Sequence, residues 1–204
     1  MVFLDVAVVA LVLGRLLGGR LSALAELTIR GKALGFAAIA LQLVAFPSEL
    51  LPWSTPTTVA RALWLGSYLL LITMLLLNAR LIGLLLVAGG LACNLTAIVA
   101  NGGLMPVRGA ALRAAGRSYH IHNNSIELTR PRLALLVDRW AAPRWLPLAN
   151  VYSIGDLLIA AGTVLTIVVA MRGQTGKRTL PRDSPAGAAA LGVASLVLPS
   201  TRQP

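Results

Sequence analysis

The sequence predicts an all-α integral membrane protein: a five-helix transmembrane bundle with a small extramembrane cap, a short helix plus a hairpin, before the last helix. Three observations predict it. Of the 204 residues, 57% are hydrophobic and 12% charged, with a mean hydropathy of +0.79. A soluble domain of this size needs a more polar exterior. The apolar residues fall in long runs separated by charged or Pro/Gly-containing joints. Lys and Arg outnumber Asp and Glu by 18 to 7, a net charge of +11, and many sit at the run ends, where headgroups would lie. In a soluble protein that charge would point to nucleic acid. Here no aromatics are interleaved to stack on bases, so no nucleic-acid partner is expected.

A spanning helix needs roughly 20 apolar residues, within about 17–25. Five windows qualify: 2–19, 33–51, 57–78, 81–99 and 151–171. A shorter Ala/Gly-rich run, 186–198, falls below that length. No basic residue precedes the first apolar stretch; Asp5 stands near its start, Arg15 near its end and Arg20 just beyond it. It therefore reads as a retained span with its N-terminus outside, although Ala23 and Ala25 mimic a cleavage motif. The joint from Arg20 to Lys32 reads as a short interfacial helix, with Glu26 and Arg30 pairing four residues apart. Arg20, Arg30 and Lys32 in joint one, Arg80 in joint three, and Arg172, Lys177, Arg178, Arg182 and Arg202 at the end agree with a cytoplasmic C-terminus. The tail, 173–204, is rich in Pro, Gly, Ser, Thr and Ala and is expected to be disordered. The transmembrane domain is thus 1–172, multi-pass in the cell membrane.

The long joint, 102–150, is expected to lie outside and form the cap. It carries seven arginines and no lysine. Asn101-Gly102-Gly103 is a turn signal that ends the fourth window. Arg108, Arg113 and Arg117 among alanines predict a short surface helix. Alternation around Asn123-Asn124, from Tyr119 to Leu128, predicts the hairpin. Cys93 is a lone thiol in an apolar run and reads as structural.

Three motifs carry a family resemblance: Gly19-Arg20-Leu21-Ser22-Ala23-Leu24-Ala25-Glu26-Leu27, then Asn101-Gly102-Gly103-Leu104-Met105-Pro106-Val107, then 150–162, which begins Asn150-Val151-Tyr152-Ser153. Together they resemble an uncharacterised bacterial membrane family, domain of unknown function 5317. The resemblance implies a multi-pass membrane protein and no known activity.

Polar groups inside a membrane are costly and become functional candidates. Asp5, Gln42, Asn78, Asn94, Asn101 and Asp156 form that set. Asn94 and Asn101 are seven apart and share one helix face. They read either as a polar pocket or as interhelical hydrogen bonds of about 0.6–2 kcal/mol each. Asn150, Ser153 and Arg139 complete the ligand or polar-pocket candidates.

Asp138 and Asp156 are the catalytic candidates. Two carboxylates at a membrane boundary could share a proton and activate water. Asp138-Arg139 and Asp156-x-x-Ile159-x-x-Gly162 are similar to the lipoprotein signal peptidase family, which implies an aspartic membrane peptidase. Leu135 and Ser153 stand where that family carries asparagines. The alternative for Asp156 is a capping box with Ser153. For Asp138 it is a surface carboxylate compensating Arg132 or Arg139. His120 and His122 alternate on one strand face and, with Glu127 or Asp138, make a weak zinc candidate. No Walker loop, Rossmann glycine pattern, Cys-x-x-Cys or nucleophile elbow occurs, so no cofactor is expected.

Three readings compete. The first is a non-enzymatic membrane component whose arginine-rich cap binds an anionic lipid, a protein partner or a small ligand. The second is a peptidase using Asp138 and Asp156. The third is a small transporter or channel subunit lined by Asn78, Asn94 and Asn101. The oligomeric state stays open.

Overall fold

A computed structural model describes residues 2–46, 55–116, 125–143 and 150–173. In chain order they form α1 (Val2–Leu16), α2 (Ser22–Ala25), α3 (Lys32–Ala45), α4 (Thr57–Leu76), α5 (Ile82–Ala100), β1 (Met105–Val107), α6 (Gly109–Ala114), β2 (Ser125–Glu127), β3 (Trp140–Ala141), β4 (Val151–Tyr152) and α7 (Ile154–Arg172). The helices α4, α5 and α7 are long and apolar enough to cross a membrane. At 1.5 Å per residue each is about 30 Å long, the thickness of a hydrocarbon core.

The helices α1 and α3 are shorter than the expected spans, at 15 and 14 residues. Gly18 adopts a left-handed φ of 79° and stops α1 before residue 19. Phe46 leaves helical geometry at φ −129°, as the residue before Pro47 must. Residues 47–51 of the expected span lie outside the described residues. The interfacial helix expected over 20–32 is a single turn, Ser22–Ala25. Glu26 and Arg30 therefore never acquire helical spacing.

The long helices pack side by side in the order α3, α4, α5, α7, α1. The last helix in sequence thus sits between the first and the fifth. Its closest approach is to α5. A Cβ on Gly83 would lie 2.6 Å from the Gly162 carbonyl oxygen, and one on Gly155 would lie 2.6 Å from that of Gly90. Gly83 and Gly90 are seven residues apart, as are Gly155 and Gly162, so each pair repeats on one face. Side-chain-free stripes of this kind let two backbones touch.

Asparagines fasten the helix ends. Asn78, fully buried, donates to the Arg30 and Met74 carbonyls at 2.9 and 2.7 Å and accepts from the Arg30 amide at 2.8 Å. Asn101 repeats the device, donating to the Ala97 and Arg132 carbonyls and accepting from the Arg132 amide at 2.8 Å. Ala45, Ala60, Trp64, Ala97, Ile98 and Met105 form the main core, with Phe46 and Tyr68 packed edge-on against Trp64.

Between α5 and α7 the chain builds two small sheets. The strands β1 and β2 pair in parallel, Met105 opposite Ser125 and Val107 opposite Glu127, with α6 as the crossover. The loop of the expected hairpin, 117–124, lies outside the described residues. Its returning half is β2, and its described partner is β1. Parallel pairing requires a crossover, and α6 supplies it. The strands β3 and β4 pair antiparallel, Trp140 opposite Tyr152.

Candidate functional site

The site candidates gather where the N-terminus of α7 meets α5 and the segment joining them. Ser153 is the N-cap of α7, in extended conformation at φ −100°, ψ 170°. Its hydroxyl oxygen accepts from the Asp156 amide at 3.0 Å, and Asp156 Oδ2 accepts from the Ser153 amide at 2.9 Å. This is the reciprocal capping box that Ser-x-x-Asp spelled. It also places a carboxylate at the positive end of the helix dipole.

The box is extended across the helix interface by Asn94 of α5. Asn94 Nδ2 donates to Asp156 Oδ1 at 2.9 Å. The Ser153 hydroxyl lies 2.9 Å from Asn94 Oδ1 and 2.8 Å from Asp156 Oδ2. It has one proton, so it donates to one acceptor at a time. Ser153 is fully buried and Asn94 nearly so. Both Asp156 oxygens are therefore held, one by α5 and one by its own cap. Gly155 permits this approach, since Asn94 Oδ1 occupies the space a Cβ there would need.

Asp138 approaches from the connecting segment. Its amide donates to the Pro106 carbonyl and its carbonyl accepts from the Arg108 amide, both at 3.0 Å, which continues the β1 ladder at Val107. Its Oδ1 is buried and has no hydrogen-bond partner among the described residues. Burial, and secondly the charge of Asp156, push its carboxyl up to about 8. A buried carboxyl beside another carboxylate keeps its proton at neutral pH. No hydrogen bond joins the two aspartates among the described residues. Tyr68 of α4 lies within electrostatic reach of both carboxyl groups.

The remaining candidates are dispersed. The Arg139 guanidinium lies 5.2 Å from the Trp140 ring centroid, a cation–π distance. The Arg139 amide donates to the Tyr152 carbonyl at 3.0 Å. Asn150 contributes its backbone carbonyl, which accepts from the Ala142 amide at 2.8 Å. Asn101 bonds to the Arg132 backbone, whereas Asn94 bonds to Asp156, so the described partners of the two asparagines differ. His120 and His122 lie outside the described residues. Among the described residues no three His, Cys, Asp or Glu side chains group as metal ligands.

Sequence reasoning overlooked Tyr68 and the α5 glycines. Tyr68 carried no signal, because an aromatic in an apolar run reads as core. The Gly83/Gly90 spacing was a signal, matching that of Gly155/Gly162.

The sequence profile of a family described as a family of unknown function (DUF5317) matches residues 26–168. The chain belongs to DUF5317. The match spans α3 to most of α7 and contains the whole aspartate cluster of this DUF5317 protein. Comparison with curated proteins and with solved structures finds no match.

Proposed function

We propose that this DUF5317 chain is a multi-pass protein of the cell membrane with five spans, its N-terminus outside and its C-terminus cytoplasmic. In this reading α1 and α3 join α4, α5 and α7 as spans, and 102–150 forms an outer cap. The cap binds an anionic partner and performs no catalysis. The observation that carries this reading is the occupation of Asp156. Ser153 and Asn94 take both its oxygens, so it serves as the fastening of α7. The amides of Asn78 and Asn101 are likewise engaged by backbone, which leaves little for a channel lining. The binding capacity rests on arginines: Arg130 and Arg132 are exposed on the cap, which has Glu127 and Asp138 as its acidic residues.

Complementation of a deletion strain tests it. Asp138→Asn should keep function, and the double variant Arg130→Glu, Arg132→Glu should lose it. The opposite pattern sinks the binding reading.

One observation favours a second reading, the aspartic peptidase. Asp138 has a buried Oδ1 with no partner among the described residues and lies within reach of the Asp156 charge, and burial raises its carboxyl, which suits the acid member of an aspartic dyad. That reading requires Asp138→Asn and Asp156→Asn each to abolish cleavage of a membrane-anchored substrate.

A further inference from the structure

At the end of the bundle opposite the aspartate cluster, α3 and α4 leave a groove of about 280 Å³ lined by Ile29, Lys32, Gly35, Phe36, Ile39 and Met74. Gly35 opens it: a Cβ there would stand 2.9 Å from the Met74 sulfur. Lys32, Gly35, Phe36 and Ile39 follow helical spacing, so the groove runs along about two turns of α3, roughly 10 Å. Its lining is apolar, and Lys32 at the start of α3 contributes its carbon stem to it. Phe36 and Ile39 are 72% and 54% exposed, so no part of the described chain covers them.

The mouth of the groove is basic. The Arg80 guanidinium donates to the Thr28 carbonyl at 3.1 Å, next to Ile29. The Arg30 backbone is clamped by Asn78, which ties this rim to the end of α4. Between residues 20 and 32 the acidic residue is Glu26, against Arg20, Arg30 and Lys32. A cationic mouth above an apolar floor is complementary to a molecule with an anionic head and a hydrocarbon tail.

We propose that this groove holds one acyl chain of an anionic phospholipid, with the headgroup phosphate against Lys32 and Arg80. The proposal rests on the membrane reading above. Neutral lipid would fill the floor and forgo the charge contacts. Free phosphate would meet the charges with no tail to bury.

The test is native mass spectrometry of the full chain released from micelles. It is supplied with dioleoylphosphatidylglycerol or with dioleoylphosphatidylcholine. The anionic lipid should be retained over the neutral one by at least about fivefold, the worth of one basic residue at about 1 kcal/mol. Lys32→Glu should remove that preference. Ile39→Trp, which fills the floor without changing charge, should also reduce retention of the anionic lipid severalfold. Equal retention of both lipids overturns the proposal. So does loss with Lys32→Glu but not with Ile39→Trp, since the headgroup alone would then be recognised. Competition by soluble glycerol phosphate at the lipid's concentration overturns it too. Carbonate extraction separates the two levels: release of the chain defeats the membrane reading and the groove together, whereas a retained chain with equal lipid binding defeats the groove alone.

Discussion

Replacing Asp138 by asparagine should make the protein more stable as the pH rises. The Asp138 carboxyl is raised from an ordinary value of 3.8 to about 8, by burial first and by Asp156 second. Below pH about 4 both the folded and the unfolded chain hold the proton, and Asp138 makes no difference. Between there and about 8 the unfolded chain has released its proton while the folded chain keeps it. The folded state therefore loses stability through this window, and the loss levels off above about 8. Folding holds the proton to a pH about 4 higher than the ordinary carboxyl does, and at about 1.4 kcal/mol for each step of one in pH this gives about 6 kcal/mol. This is an upper limit, because water entry and local movement at Asp138 would relieve part of it. Asparagine keeps the shape and never ionises. Thermal unfolding of both proteins in micelles, followed by circular dichroism from pH 4 to 9, measures the effect. Near pH 4 the two should agree, and by pH 8 the variant should unfold at clearly higher temperature. Parallel curves across that range would refute the argument, because Asp138 would then titrate alike in both states.

The neighbouring contacts make further predictions. Asn94→Ala deprives the Asp156 carboxylate of its bond from α5 and should destabilise by about 1–3 kcal/mol, read from the same melts. Gly90→Val places a branched side chain against the α7 backbone and should cost at least about 1–3 kcal/mol, whereas Gly89→Val, where the space is open, should cost far less; equal melting points would contradict the glycine contact. Asn101→Ala should free the segment around Arg132, seen as faster amide exchange there with little change in α7.

Much of this architecture was legible in the sequence, for reasons that differ by element. The long apolar runs announced α4, α5 and α7, because length and composition alone set those helices. The capping box at Ser153 and Asp156 was legible because it is local, with donors and acceptors three residues apart. The end of α3 was marked by Pro47, but the unbroken hydropathy drew the expected span through it to residue 51. The partners of Asn78, Asn94 and Asn101 could not be read off. Each side chain announced itself as polar in an apolar setting, yet the partner it ties to another element lies 31 to 62 residues away. The burial of Asp138 was hidden for the same reason: Arg132 and Arg139 flank it in sequence, while in space its backbone pairs with β1 at Val107 and its carboxyl feels the charge of Asp156 on α7. The parallel pairing of β2 with β1 depends on a crossover that strand alternation does not encode.

The most direct test of the proposed five-span architecture is the topology of the chain in its membrane. Reporter fusions after Ser118 and after Thr179 flank α7, one in the proposed outer cap and one beyond the last helix. Ser118 should report the outside and Thr179 the cytoplasm. If both positions report the same side, α7 does not span the membrane and the proposed architecture is wrong.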